Sequence, residues 1–122
     1  MKKIILILLL ILVVPNFVFA ELHKVRVVAY PLTLPGNGKA ASGLKLNKSH
    51  CGIIVALSHD LAKRYKKGDK FKLYLPGSNK MIKAVYQDLM HPKHSNMVDI
   101  LLPTIKDCRN FGSQKGILIK DE

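Results

Sequence analysis

Apolar and polar positions alternate along His23–Tyr30, and the run is rich in β-branched residues, which predicts a first strand. The pattern then dissolves. Pro31 to Lys48 holds two prolines, three glycines and several polar residues and reads as a long loop, the kind of segment that often carries binding functions. Gly52–Leu57 is a short, wholly apolar run typical of a buried strand. Ser58 is placed to cap a short helix through about Tyr65, with Asp60 in its first turn and Lys63, Arg64 and Lys66 at its end, as the helix dipole favours. Lys67–Lys70 is a turn. Phe71–Leu75 and Met81–Tyr86 form a hairpin across Pro76–Asn79. Pro103-Thr104 opens a second short helix through about Asn110, Gly112 ends it, and Gly116–Lys120 is the last strand.

Between the hairpin and the second helix lies the most informative stretch, Val85–Leu102. It reads as strand, loop, strand. The first apolar run closes on Asp88, a polar loop holds His91, Pro92, Lys93 and His94, and Met97–Leu102 carries Asp99 at its centre. Aspartate is depleted in strands, and a buried charge is costly unless it is paired or protonated. Alternation puts Met97, Asp99 and Leu101 on one face and Val98, Ile100 and Leu102 on the other. Two roles fit Asp99. It is either a hydrogen-bonded structural pin or a carboxyl group whose apolar setting raises its pKa for acid–base work.

The elements also repeat. Apolar strand, short capped helix, aromatic residue (Tyr65, then Phe111), glycine turn and strand occur twice in the same order. Two such units wrapped around each other predict an all-β fold with two short helices, a small closed barrel without free sheet edges.

The amino terminus is of another kind. Met1-Lys2-Lys3, an apolar run from Ile4 to Val14 and a Val-x-Ala ending predict a signal peptide, with cleavage after Ala20 and a single domain over 21–122. A membrane anchor wants about 20 continuous apolar residues, and Pro15-Asn16 interrupts the run before that. The mature chain is therefore expected in the periplasm or secreted, with no stable membrane span. The full chain's formal net charge of +12, from which only Lys2 and Lys3 would leave with the signal, suits anionic polymers outside the cell and equally a solvated, soluble surface. In an oxidising compartment the two cysteines, Cys51 and Cys108, are expected to form a disulfide, with two buried free thiols as the alternative.

Val27-Val28-Ala29-Tyr30, Ala41-Ser42-Gly43, Gly52–Leu61, Tyr86-Gln87-Asp88, Val98-Asp99-Ile100 and Phe111-Gly112 together resemble the 3D (three-aspartate) domain family. These are double-psi β-barrels related to the catalytic domain of membrane-bound lytic transglycosylase A. The resemblance covers essentially the whole mature chain. It implies a six-stranded double-psi barrel, Asp99 as catalytic acid, and Asp88 beside it in the cleft. Asp60 stands near the third family aspartate, whose position holds Ser58 here. Val28 and Ala40 replace threonines common in relatives, and Leu89-Met90-His91 replaces a glycine-rich run.

The implied reaction is cleavage of the MurNAc–GlcNAc bond of peptidoglycan. One carboxylic acid protonates the leaving oxygen and then accepts the proton of the muramyl 6-hydroxyl, so a second catalytic carboxylate is dispensable. Tyr30, Ser42, Asp60, His91 and Lys93 are candidate substrate-binding residues, and no cofactor is implied. The competing class is a non-catalytic wall-binding barrel, in which Tyr30 and basic loops hold peptidoglycan or another polysaccharide. His50, His59, His91 and His94 lack the compact spacing of a zinc site and are expected to face solvent. Nucleic-acid binding lacks interleaved aromatics, and the chain has no Trp.

Overall fold

Six strands close on themselves because each is hydrogen-bonded on both edges. In the computed structural model, which describes residues 21–121, they are β1 (Leu22–Pro31), β2 (Ile54–Leu57), β3 (Lys70–Leu75), β4 (Lys80–Leu89), β5 (Met97–Leu102) and β6 (Gln114–Lys120). The order around the barrel is β1-β5-β2-β4-β3-β6. The pairs β1/β5 and β2/β4 are parallel and the other four are antiparallel. This is the mostly β, closed six-stranded barrel with two short helices that the sequence predicts. The expected signal peptide, Met1–Ala20, lies outside the described residues.

The internal repeat is realised in the pairing. Exchanging β1 with β4, β2 with β5 and β3 with β6 leaves every neighbour and every direction unchanged. The barrel therefore has a pseudo-twofold axis through the β2/β5 pair.

Alternation fills the interior. Val25 and Val27, Val55 and Leu57, Phe71, Leu73 and Leu75, Ala84 and Tyr86, Val98 and Ile100, and Leu118 point inward and form one buried cluster. Each large apolar side chain so buried contributes about 1.5–3 kcal/mol. A second, smaller cluster lies on the outer face, where Ala40 and Leu46 of the long loop pack on Ile54 and Leu101, flanked by Tyr30, Leu32, Leu44 and Val85. The loop is thus fastened to the barrel by its own leucines. It also contains a single turn of 3-10 helix at Lys48–His50 and an isolated bridge between Lys39 and Lys45.

The first helix is shorter than expected, and the second lies where the sequence predicts it. α1 is one turn, His59–Ala62. Ser58 sits at its N-cap, but its hydroxyl accepts the Met97 N–H at 3.0 Å and caps nothing. The residue extends the β2/β5 contact and is wholly buried. After Lys63 the chain tightens to i→i−3 bonds, Arg64 N–H to Leu61 O and Tyr65 N–H to Ala62 O, so the helix ends before Tyr65. Tyr65 instead packs edge-on against Phe71 and hydrogen-bonds His23 Nε2 at 2.6 Å. α2 (Ile105–Phe111) has the full capping box, with Thr104 and Asp107 exchanging bonds, and stops at Gly112 in the left-handed region.

The expected disulfide is not formed. Cys51 and Cys108 are free thiols, half-buried on the strand-leading loop and on α2. Burial raises the pKa of both thiols. Asp107 raises both further, and Asp99 and Cys51 add to the effect at Cys108. A thiol kept protonated is a poor nucleophile for exchange.

One close approach tests the packing. A Cβ on Gly116 would lie 2.5 Å from Val27 Cγ2 and 3.3 Å from Tyr74 O. Gly116→Ala is expected to cost about 1–3 kcal/mol, read as a lower urea midpoint at unchanged slope. A midpoint equal to wild type would show that β1 and β6 are not packed this tightly.

Candidate functional site

Four strands place their side chains in one row on the outer face. Val28 of β1 is in register with Asp99 of β5, Asp99 with Ala56 of β2, and Ala56 with Asp88 of β4. The two carboxylates are two strands apart, about 10 Å between backbones, and the Ala56 methyl forms the floor between them.

Asp88 reaches this row only through a β-bulge. Val55 pairs with Tyr86, but Ala56 pairs with Asp88, so Gln87 is an extra residue with no partner in the ladder. Strict alternation from the inward Tyr86 would turn Asp88 into the core. The bulge turns Asp88 outward and lets Leu89 pack against the core instead. The Gln87 carbonyl, released from the ladder, accepts the Ser42 N–H at 3.0 Å.

The two carboxylates have opposite surroundings. Asp88 Oδ1 accepts the Ala41 and Leu89 N–H groups, each at 2.9 Å, and Oδ2 accepts the Tyr30 hydroxyl at 3.2 Å. Asp99 is half-buried, and its Oδ1 is shielded from water with no hydrogen-bond partner. Burial, and then the charge of Asp88, push the Asp99 carboxyl up to about 7. The pin among the carboxylates is therefore Asp88, while Asp99 is the proton-holding group. Tyr30 is pushed far above the ordinary phenol range by burial and by Asp88, which keeps it a hydrogen-bond donor.

These groups line a recess of about 360 Å³ together with Lys39, Met90, His91 and His94. Of the residues expected from sequence, Tyr30, Asp88, Asp99 and His91 meet there. Ser42, Asp60 and Lys93 are not among its lining. Ser42 supports the loop through Gln87, and its hydroxyl accepts the Leu44 N–H. Asp60 accepts the Asn96 N–H on both oxygens, and its carboxyl is held below the usual range by Ser58 first and Asn96 next. Lys93 is exposed, and its N–H donates to His91 Nδ1, which shapes the turn.

Lys39 and His94 escaped the sequence reading. Lys39 lies in a loop without periodicity, and only the fold brings it to the cleft. His94 stood out only as half of a weak metal pattern, and among the described residues no three His, Cys, Asp or Glu side chains converge as a metal site. No helix among the described residues is long and apolar enough to cross a membrane.

The barrel itself has solved counterparts. It is similar in fold to an expansin of Clavibacter michiganensis. An aspartate-to-asparagine variant of that protein in complex with cellohexaose superposes with a TM-score of 0.60 at 14% identity. The apo form gives 0.58 at 15%. Each match covers 84% of this chain and 51% of the other, so this chain spans about half the length of those proteins. No family model and no curated protein sequence matches the chain.

The raised carboxyl predicts a pH signature in stability. Between the ordinary value of 3.8 and about 7, the folded state keeps a proton on Asp99 that the unfolded chain releases. The contribution of Asp99 is therefore most favourable below pH 4 and is lost as pH rises through 7. Comparing pH 4 with pH 8, the stability of Asp99→Asn relative to wild type should shift upward by about 2–4 kcal/mol. Urea unfolding of both proteins at the two pH values measures it, and a difference independent of pH would show that Asp99 titrates normally.

Proposed function

We propose that the chain is an exported polysaccharide-binding barrel whose Asp88–Asp99 cleft takes a strand of wall glycan, with peptidoglycan as its substrate class. The observation that carries this reading is the Asp99 carboxyl, which lines an open recess beside Asp88 and Tyr30 while its Oδ1 stays buried without a partner. A buried acceptor without a partner is costly when charged, which favours the protonated carboxyl, and a sugar hydroxyl entering the recess can bond the part of that carboxyl that lines it. The Asp99 carboxyl is poised to donate, the Tyr30 oxygen, whose proton is given to Asp88, can accept, and Lys39, His91 and His94 edge the entrance. The likeness to a barrel-containing protein solved with a cello-oligosaccharide supports the same class of ligand. Peptidoglycan shares the β-1,4 linkage of that sugar and adds carboxylates that suit a basic protein. The segment Met1–Ala20, read as an export signal, supports a mature chain in the periplasm or outside the cell, where this polymer is found.

A second reading rests on one specific observation, the carboxyl that holds its proton to about pH 7. A lytic transglycosylase needs a general acid of this kind at Asp99 and no second catalytic carboxylate. The 3D-family resemblance points the same way.

Both readings are tested with residues 21–122 and purified, insoluble peptidoglycan, by sedimentation together with mass spectrometry of the supernatant. The expected result is retention on the wall without anhydromuropeptide release. Asp99→Ala should weaken retention about tenfold or more, the scale of a hydrogen bond lost from a buried polar group, while Asp99→Asn, which keeps an acceptor and a donor, should lose less. If anhydromuropeptides appear and fall at least about a hundredfold in the variants, the transglycosylase reading replaces the binding one. Retention unchanged in Asp99→Ala, with no product from either protein, would overturn both.

A further inference from the structure

Lys24 and Arg26 alternate along β1 with the inward Val25 and Val27, and both basic side chains are exposed. Across the antiparallel ladder Arg26 stands directly opposite Lys115 of β6. Like charges directly opposite one another destabilise a sheet, so strand pairing does not account for this arrangement. The three cations line a recess of about 700 Å³ whose floor includes Met97 and Ile117, and no Asp or Glu is part of its lining. The Arg26 guanidinium donates to Ser113 Oγ at 2.7 Å, which orients the head without neutralising it. Asp60 approaches this side through Asn96, but both of its oxygens are engaged by the Asn96 amide at 3.1 and 2.9 Å.

This recess shares no lining residue with the cleft. Met97 lines it, and Asp99, the next outward residue of β5, lines the cleft, about 7 Å further along the strand. We infer that the Lys24–Arg26–Lys115 recess is a second binding site, one that takes an acidic polysaccharide. The cations meet its carboxylate or phosphate groups, and the apolar floor meets the faces of its sugar or polyol units. The ligand class rests on the glycan reading of the cleft, and a polymer strand leaving the cleft would pass over Met97 to reach the recess.

The test compares wild type with Lys24→Gln/Arg26→Gln/Lys115→Gln, and with Lys63→Gln/Lys67→Gln/Lys83→Gln. The second set removes equal charge from exposed positions outside every recess described here. Binding is measured across a salt series to polygalacturonate, to polyglycerol phosphate and to duplex DNA. Cellohexaose reports the cleft. The recess variant should lose about tenfold or more in affinity for at least one acidic polysaccharide, with its salt slope falling by up to about three, while the control set loses little. Which acidic polymer suffers more identifies whether carboxylate or phosphate is preferred. Cellohexaose binding should be the same in the recess variant as in wild type, so failure of the cleft reading would show there and not in this comparison. Equal losses in the two triple variants would overturn the site, as would DNA bound as tightly as either polysaccharide at the same salt. If the triple variant does not fold, Lys115→Gln alone should lose several-fold, and unchanged affinity would count the same way.

Discussion

The Asp88 carboxylate is the tie on which the outer face depends. It gathers the Ala41 N–H from the long loop, the Leu89 N–H from its own strand and the Tyr30 hydroxyl from β1. Three elements far apart in sequence are thereby fixed to one another over the β2/β5 axis. Beneath them, Leu46, Ile54 and Leu101 supply an apolar anchor for the loop. The bulge at Gln87 serves the same junction twice. It faces Asp88 outward and frees a carbonyl for Ser42. Without this tie, the loop that brings Lys39 to the cleft would hold to the barrel by its leucines alone.

The register also explains why only one cleft of this kind forms on a barrel with internal symmetry. Ala56 and Asp99 face each other across the pseudo-twofold axis, so each is the other's counterpart. Val28, in register with Asp99, corresponds to Asp88, in register with Ala56. The second half of the chain therefore supplies both carboxylates and the first half a valine and a methyl group, and the two kinds alternate along the row. Filling all four positions with acids would crowd like charges on adjacent strands. The small Ala56 leaves room for a ligand, and the apolar Val28 adds to the desolvation that raises Asp99.

Much of this was legible in the chain. Alternation, short apolar runs and turn signals together located all six strands, and alternation assigned Asp99 and Leu101 to the face opposite Val98 and Ile100, as found. The repeated strand–helix–glycine–strand order anticipated the symmetric pairing. What failed to show had physical causes. A bulge breaks the alternation rule on which strand faces are assigned, so the orientation of Asp88 could not follow from its position. Ser58 looked like a helix cap because its composition signal is the same whether its hydroxyl meets a helix N–H or, as here, that of Met97 on a neighbouring strand. Asp60 and Ser42 stood out as polar residues near the motifs, yet both act on backbone amides. The loop's fastening depends on leucines spaced without period, which only tertiary contact reveals.

The hydrogen bonds of Asp88 also limit the chemistry open to the cleft. A hydrolase with two carboxylates needs the second as a nucleophile or as a base for water. Here both oxygens of Asp88 already accept donors, one of them two N–H groups, and the base strength of a carboxylate falls with each hydrogen bond to its charged form. Recruiting Asp88 would release Ala41 and Tyr30 and loosen the wall of the cleft itself. What remains is a single protonated carboxyl, Asp99, in a recess shaped for a polar ligand. With a pKa of about 7 it is protonated in about half of the molecules at neutral pH, and on the proposed reading the same geometry would serve retention or proton transfer. The two outcomes would separate on whether a bound sugar presented its glycosidic oxygen or a hydroxyl to that proton, and the residues that edge the recess, among them Lys39, His91 and His94, would share that choice with Asp99.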